Sequence, residues 1–157
     1  MAYGGVTENR TALDFDRAHK AGFEFVSISP MANDTESSLG ASWLAPVPGT
    51  DFALMLGLAH VLETQNLSNA SLLDSHCVGY SKVKDYLIGR DDGIAKTPQW
   101  ASSICGVAAE DIDALARKMA GKRTFLAAAW SLPRWFFGAR GLWAQASTKA
   151  VVPWLPC

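Results

Sequence analysis

One stretch of the sequence constrains the fold more than any other, a polar turn followed by a long apolar run. Residues 47–60 read VPGTDFALMLGLAH, so Gly49, Thr50 and Asp51 precede a segment with apolar side chains on nearly every face of a helix. Such a helix is buried on more than one side, as it is between a sheet and further helices. The run is too short for a membrane span of about 20 residues. It therefore predicts an internal helix, capped by Thr50 or Asp51 and ending near Gln65.

Composition and charge limit the class of protein. The chain has 157 residues, 49% of them hydrophobic and 18% charged, which is enough for one globular domain with a real core. A net charge of -1 creates no field that would attract nucleic acid or an anionic membrane, so we expect neither as a partner. The first ten residues contain no apolar leader segment, so no signal peptide is predicted. The three cysteines have no partner at metal-ligand spacing, so we predict no metal site. Nothing in the sequence resembles a Ser/His/Asp nucleophile arrangement, and we predict no catalytic residue.

Short strand patterns alternate with helical patterns along the chain. Strands are predicted in 23–30 (FEFVSISP), 42–47 (SWLAPV) and 124–130 (TFLAAAW). Helices are predicted in 14–21 before a stop at Gly22, in 51–65, in short segments around 69–77 and 80–89, from Thr97-Pro98 to Gly106, and in 108–122. This order predicts an α/β layered domain with a small, mostly parallel sheet and several packed helices.

The helix predicted over 108–122 has the clearest pattern in the chain. Ile112, Leu115, Ala116 and Met119 are spaced i, i+3, i+4 and i+7, which places them on one face. Acidic residues lie near its start and basic residues near its end, in agreement with the helix dipole. We interpret this helix as a packing element without chemistry of its own.

Three predicted strands end in residues that could bind a ligand, because open α/β sheets bind ligands outside the carboxyl ends of their strands. These ends are Ser29-Pro30, Pro48–Asp51 and Trp130-Ser131. Gly49 would let the backbone approach a ligand closely, and Asp51 could accept two N–H bonds from a base edge such as that of guanine. The residues alone favour a simple helix cap at this turn, and the ligand-binding interpretation stays open beside it. The sequence contains neither a GxGxxG fingerprint nor a P-loop.

Five segments, in this order, resemble consecutive pieces of one protein family. They read GGVTENR, FEFVSISPMANDT, SWLAPVPGTDFALMLGLAHVL, VGYSKVKDYLIGRDDGIAKTPQWASSICGV and RTFLAAAWSLPR. The family is that of the molybdopterin oxidoreductases of the dimethyl sulfoxide, trimethylamine N-oxide and biotin sulfoxide reductase type. The similarity runs from about residue 4 to Arg134, and PGTD-x-ALMLGLAH together with GIAKTPQWASSICGV is specific to it.

The resemblance implies an oxidoreductase that transfers oxygen from S- or N-oxides with a bis(molybdopterin guanine dinucleotide) molybdenum cofactor. Residues 1–134 then resemble the Rossmann-like domain that holds one guanine nucleotide arm, which is a partial cofactor site. Where relatives read Asp-Pro this chain has Ser29-Pro30, so the resemblance implies no carboxylate contact there. Asp51 is the implied guanine contact. Position by position, the implied cofactor-binding residues are Ser29, Pro30, Gly49, Thr50, Asp51, Trp130 and Ser131.

The family pattern stops after Arg134. We expect the Trp-rich tail, residues 135–157, to be aberrant and to derive from a reading-frame shift or a broken gene end. By this interpretation the chain is inactive alone and its partners are the cofactor and the remaining domains of a parent enzyme, in the cytoplasm or the periplasm. The alternatives are a stand-alone, non-catalytic nucleotide-binding or interaction module and a decayed gene fragment.

Overall fold

The computed structural model describes residues 11–32, 39–128 and 148–153, with side chains described over 13–32 and 39–127. The chain divides into two compact units. A sheet unit comprises residues 1–48 and 122–157, and a helical unit comprises Gly49–Gly121. Among the described helices, none combines the length and the apolar character that crossing a bilayer requires.

In the part that the structure describes, the sheet unit contains one helix and a four-stranded sheet. Its elements are α1 (Thr11–Lys20), β1 (Val26–Ile28), β2 (Ser42–Leu44), β3 (Thr124–Ala128) and β4 (Thr148–Pro153), and the strand order is β2-β1-β4-β3. β1 pairs with β2 in parallel, whereas β4 is antiparallel to both β1 and β3. The α/β class is therefore confirmed, but the expectation of a mostly parallel sheet holds only for β1 and β2. The reason is β4, which comes from the tail and lies between β1 and β3.

β1 is buried along its whole length. Val26 and Ile28 are buried together with Phe25, whose ring meets that of Phe15 edge to face at 5.9 Å between centroids. The predicted glycine stop after the first helix is confirmed, because Gly22 has a φ of +85° and donates its N–H to the His19 carbonyl. α1 thus ends at Lys20, before β1 begins at Val26.

The helical unit contains five helices, namely α2 (Asp51–Thr64), α3 (Ala70–His76), α4 (Tyr80–Leu87), α5 (Pro98–Cys105) and α6 (Ala109–Gly121). α2 packs against α4, α5 and α6. At the crossing with α5, a Cβ added to Gly57 would lie 2.7 Å from the Cβ of Ala101, so glycine permits this close approach. The predicted internal helix over 51–65 is confirmed.

The predicted ends of α5 and the packing face of α6 are also confirmed. Thr97 Oγ1 accepts the Trp100 N–H at 3.1 Å, Pro98 is the first helical residue, and Gly106 ends the helix with a φ of +74°. In α6, three of the four spaced apolar residues, Ile112, Leu115 and Ala116, are buried, and the fourth, Met119, is half-buried. Local sequence signals therefore predict the ends of α5 and the buried face of α6.

Candidate functional site

The candidate ligand-binding site is the turn at Gly49–Asp51, at the start of α2. Gly49 has a φ of +81°, a conformation that glycine adopts readily, and a Cβ added there would meet no atom within 4 Å. Thr50 occupies the N-cap position, and its carbonyl accepts the N–H groups of Ala53 and Leu54. Its side chain makes no capping hydrogen bond, so the helix begins as predicted but without the predicted side-chain cap.

Asp51 is the first residue of α2 and is only 6% exposed. Burial raises the pKa of its carboxyl group, while a hydrogen bond from its own backbone N–H acts in the opposite direction. The helix start favours negative charge there. A carboxylate that has lost much of its hydration would be stabilised by additional N–H donors.

The first strand exit has a different construction. Ser29 is 1% exposed, its Oγ accepts the Met31 N–H at 3.3 Å, and its carbonyl accepts the indole N–H of Trp43 at 2.8 Å. Its own N–H donates to the Leu44 carbonyl, so Ser29 continues the β1–β2 pairing. Pro30 is half-buried beside it. Through these contacts Ser29 stabilises the end of β1 in the sheet unit. The turn at Gly49–Asp51 instead belongs to the helical unit.

The third strand exit, Trp130-Ser131, lies outside the described residues. β3 itself is described as far as Ala128, and it forms as predicted. Of the seven implied cofactor-binding residues, the structure thus describes Ser29, Pro30, Gly49, Thr50 and Asp51.

Two exposed apolar side chains on α2 are not anticipated by the sequence. Phe52 is 66% exposed and Met55 is 39% exposed, although the apolar run predicts burial on nearly every face. A run without polar residues contains no periodic signal that would distinguish its exposed face from its buried faces. Phe52 directly follows the Gly49–Asp51 turn, and Met55 lies three residues further along α2.

The loop before α5 contains a buried lysine. Lys96 is 1% exposed, and its Nζ donates to the Asp92 carboxylate and the Ile94 carbonyl, both at 2.5 Å. Lys96 lowers the pKa of Asp92 through this hydrogen bond. Asp92 itself lies in a turn that ends in a bend at Gly93. Within the described ranges, no group of three or more His, Cys, Asp or Glu side chains could hold a metal ion.

A cavity of about 450 Å³ lies in the helical unit, at the end of α2 opposite Asp51. α2 contributes His60 to it, and Gln65 lies directly after the helix. α5 contributes Gln99, and α6 contributes Glu110 and Asp113. Burial lowers the pKa of His60, whose Nδ1 has no hydrogen-bond partner among the described residues. His60 lies about 14 Å along the helix axis from Asp51, so the cavity is separate from the turn.

Known proteins similar to this chain share its sequence over most of its length. The dimethyl sulfoxide/trimethylamine N-oxide reductase of Rhodobacter capsulatus is 40% identical over 131 residues, and that of Cereibacter sphaeroides is 37% identical over 131 residues. Each match covers 83% of this chain and 16% of the relative. The trimethylamine-N-oxide reductase of Haemophilus influenzae is 38% identical over 146 residues, 93% of this chain and 18% of the relative. No protein-family model matches the chain.

The matched residues belong to the dimethyl sulfoxide/trimethylamine N-oxide reductase family. This confirms the family that the sequence motifs indicate. The chain spans only between 15% and 18% of the length of the curated reductases it matches, so the similarity concerns one part of those proteins.

Proposed function

We propose that this chain is the part of an S- or N-oxide reductase that binds one guanine nucleotide arm of a molybdopterin guanine dinucleotide cofactor. Membership in the reductase family supports the class of cofactor. The single observation that carries the proposal is the turn at Gly49–Asp51. This turn combines open space beside the Gly49 backbone with the buried carboxyl group of Asp51.

The residues of this turn fit a guanine nucleotide. The Watson–Crick edge of guanine has two adjacent N–H donor groups, and a carboxylate can accept both at once. Asp51 would supply this acceptor. Burial raises the pKa of its carboxyl group, so N–H donors from a ligand would stabilise the ionised form. The open space at Gly49 leaves room for a ligand beside the backbone. Asp51 would thus hold the base edge, while Gly49 and Thr50 would adjoin the rest of the nucleotide.

When bound, the cofactor would supply the oxygen-atom transfer chemistry in the complete reductase. This chain's own contribution is to bind and orient the nucleotide. Ser29 would not contribute a carboxylate contact, and its hydroxyl already accepts the Met31 N–H. We accordingly propose that the chain alone does not reduce S- or N-oxides.

Titration calorimetry of the full chain with GMP tests this proposal. We expect measurable binding that Asp51→Asn weakens about tenfold or more, because the amide replaces an ionised acceptor. Asp111→Asn is the matched control, since Asp111 also lies in the first turn of a helix but is exposed. Circular dichroism would verify that both variants are folded. Absence of GMP binding, or equal affinity of the wild type and Asp51→Asn, would overturn the assignment.

A further inference from the structure

We propose that Phe52 and Met55 form an apolar platform for the face of the nucleobase whose edge Asp51 binds. This inference rests on the proposed function and gives a role to two residues that are not among the cofactor-binding residues implied by the resemblance. The platform is defined here as the side chains of Phe52 and Met55 on α2.

The two side chains are neighbours on one face of the helix. They are spaced i and i+3 on α2, which places them side by side, and both are exposed to the extent given above. By contrast, the two residues between them, Ala53 and Leu54, are buried, and so is Leu56 after Met55. The platform is therefore a distinct exposed patch on a helix that is otherwise largely enclosed.

The platform and Asp51 together match the chemistry of a purine. A purine has apolar faces and a polar edge, and the first two residues of α2 offer an aromatic ring and a carboxylate. Aromatic side chains stack on bases whatever the base identity, since every base has a π-face. Methionine adapts to flat partners and makes favourable sulfur–aromatic contacts. We thus assign affinity for the base face to Phe52 and Met55 and selection of guanine to Asp51.

Calorimetry on the full chain with three probes separates these two tasks. The probes are GMP, AMP and ribose 5-phosphate, which has no base. We expect Phe52→Ala to weaken GMP and AMP by a similar factor, about 5- to 100-fold, and to leave ribose 5-phosphate unchanged. Phe52→Tyr keeps the ring and should bind as the wild type does. Asp51→Asn should instead reduce the preference for GMP over AMP.

Val83→Ala is the matched control, because Val83 is an exposed apolar residue on α4. It should leave all three affinities unchanged. If GMP binds and Asp51→Asn weakens it, but Phe52→Ala does not, the platform is overturned while the nucleotide-binding function stands. If the wild type does not bind GMP, both the proposed function and the platform are overturned.

Discussion

Lys96 illustrates how one side chain can organise a loop. Its amino group is enclosed by a carboxylate, a backbone carbonyl and the ring of Tyr86, whose centroid lies 4.2 Å from Nζ. A second ring, that of Trp100, lies 5.4 Å away at the start of α5. A buried cation needs such partners because its hydration is lost. Lys96 therefore ties the turn at Asp92 to the neighbouring helices of the unit.

This arrangement predicts an order of stabilities between two variants. Asp92→Asn leaves the Lys96 cation buried without its ionic partner, whereas Lys96→Met removes the charge and keeps most of the stem. We expect Asp92→Asn to lower the urea midpoint of unfolding more than Lys96→Met does. Combining both substitutions should be less destabilising than the sum of the two. The reverse order would mean that Lys96 acts through packing rather than through its charge.

Glu63 predicts an acid-sensitive contribution to stability. Lys84 and Tyr80 donate hydrogen bonds to its carboxylate, and these bonds lower its pKa from the ordinary value of 4.5. Because the folded-state pKa is depressed, the stabilisation is present above pH 4.5 and is lost as the pH falls through the folded-state pKa. Urea unfolding between pH 7 and pH 3 would measure it. Glu63→Gln should flatten this part of the profile, and an unchanged slope would contradict the assignment.

Among the helices, local signals are sufficient to predict the ends but not the exposed faces. The cap at Thr97, the stop at Gly106 and the buried stripe of α6 depend on neighbouring residues, and all three are confirmed. The apolar run of α2 predicts its burial but contains no pattern that would indicate which residues stay exposed. The turn at Gly49–Asp51 can be recognised from its residue types. The platform cannot, because nothing in the apolar run distinguishes Phe52 and Met55 from their buried neighbours. Lys96 and the cavity also escape prediction, since their partners come together only in space.

The cap of α5 allows a test at the scale of one element. Thr97→Ala removes the hydroxyl that accepts the Trp100 N–H and leaves that donor without its capping partner. We expect a loss of about 1 kcal/mol in the free energy of unfolding, measured by urea titration. Thr97→Ser retains the oxygen and should lose much less. Equal losses in the two variants would show that the methyl group, not the capping bond, matters at this position.

At the scale of the whole molecule, the two units differ in whether their residues are continuous in sequence. The helical unit is one continuous segment, Gly49–Gly121, whereas the sheet unit combines residues from both ends. Continuous segments are easier to predict because their contacts are nearer in sequence. β4 was not anticipated, since the Trp-rich tail has no alternating pattern and the strand is defined by pairing with β1 and β3. The frame-shift origin of this tail stays a prediction, which translation of the other two reading frames would test.

The role of β4 gives a prediction for the complete chain. Removal of residues 135–157 eliminates the strand that pairs with both β1 and β3, so amides of these strands should lose protection from hydrogen exchange. Amides of α2, α5 and α6 should keep theirs, because these helices pack on one another. Hydrogen exchange measured by mass spectrometry on the full and shortened chains would compare the protection of the strand amides with that of the helix amides. Loss of protection in the three helices as well would show that both units unfold together, and that the tail stabilises the entire chain.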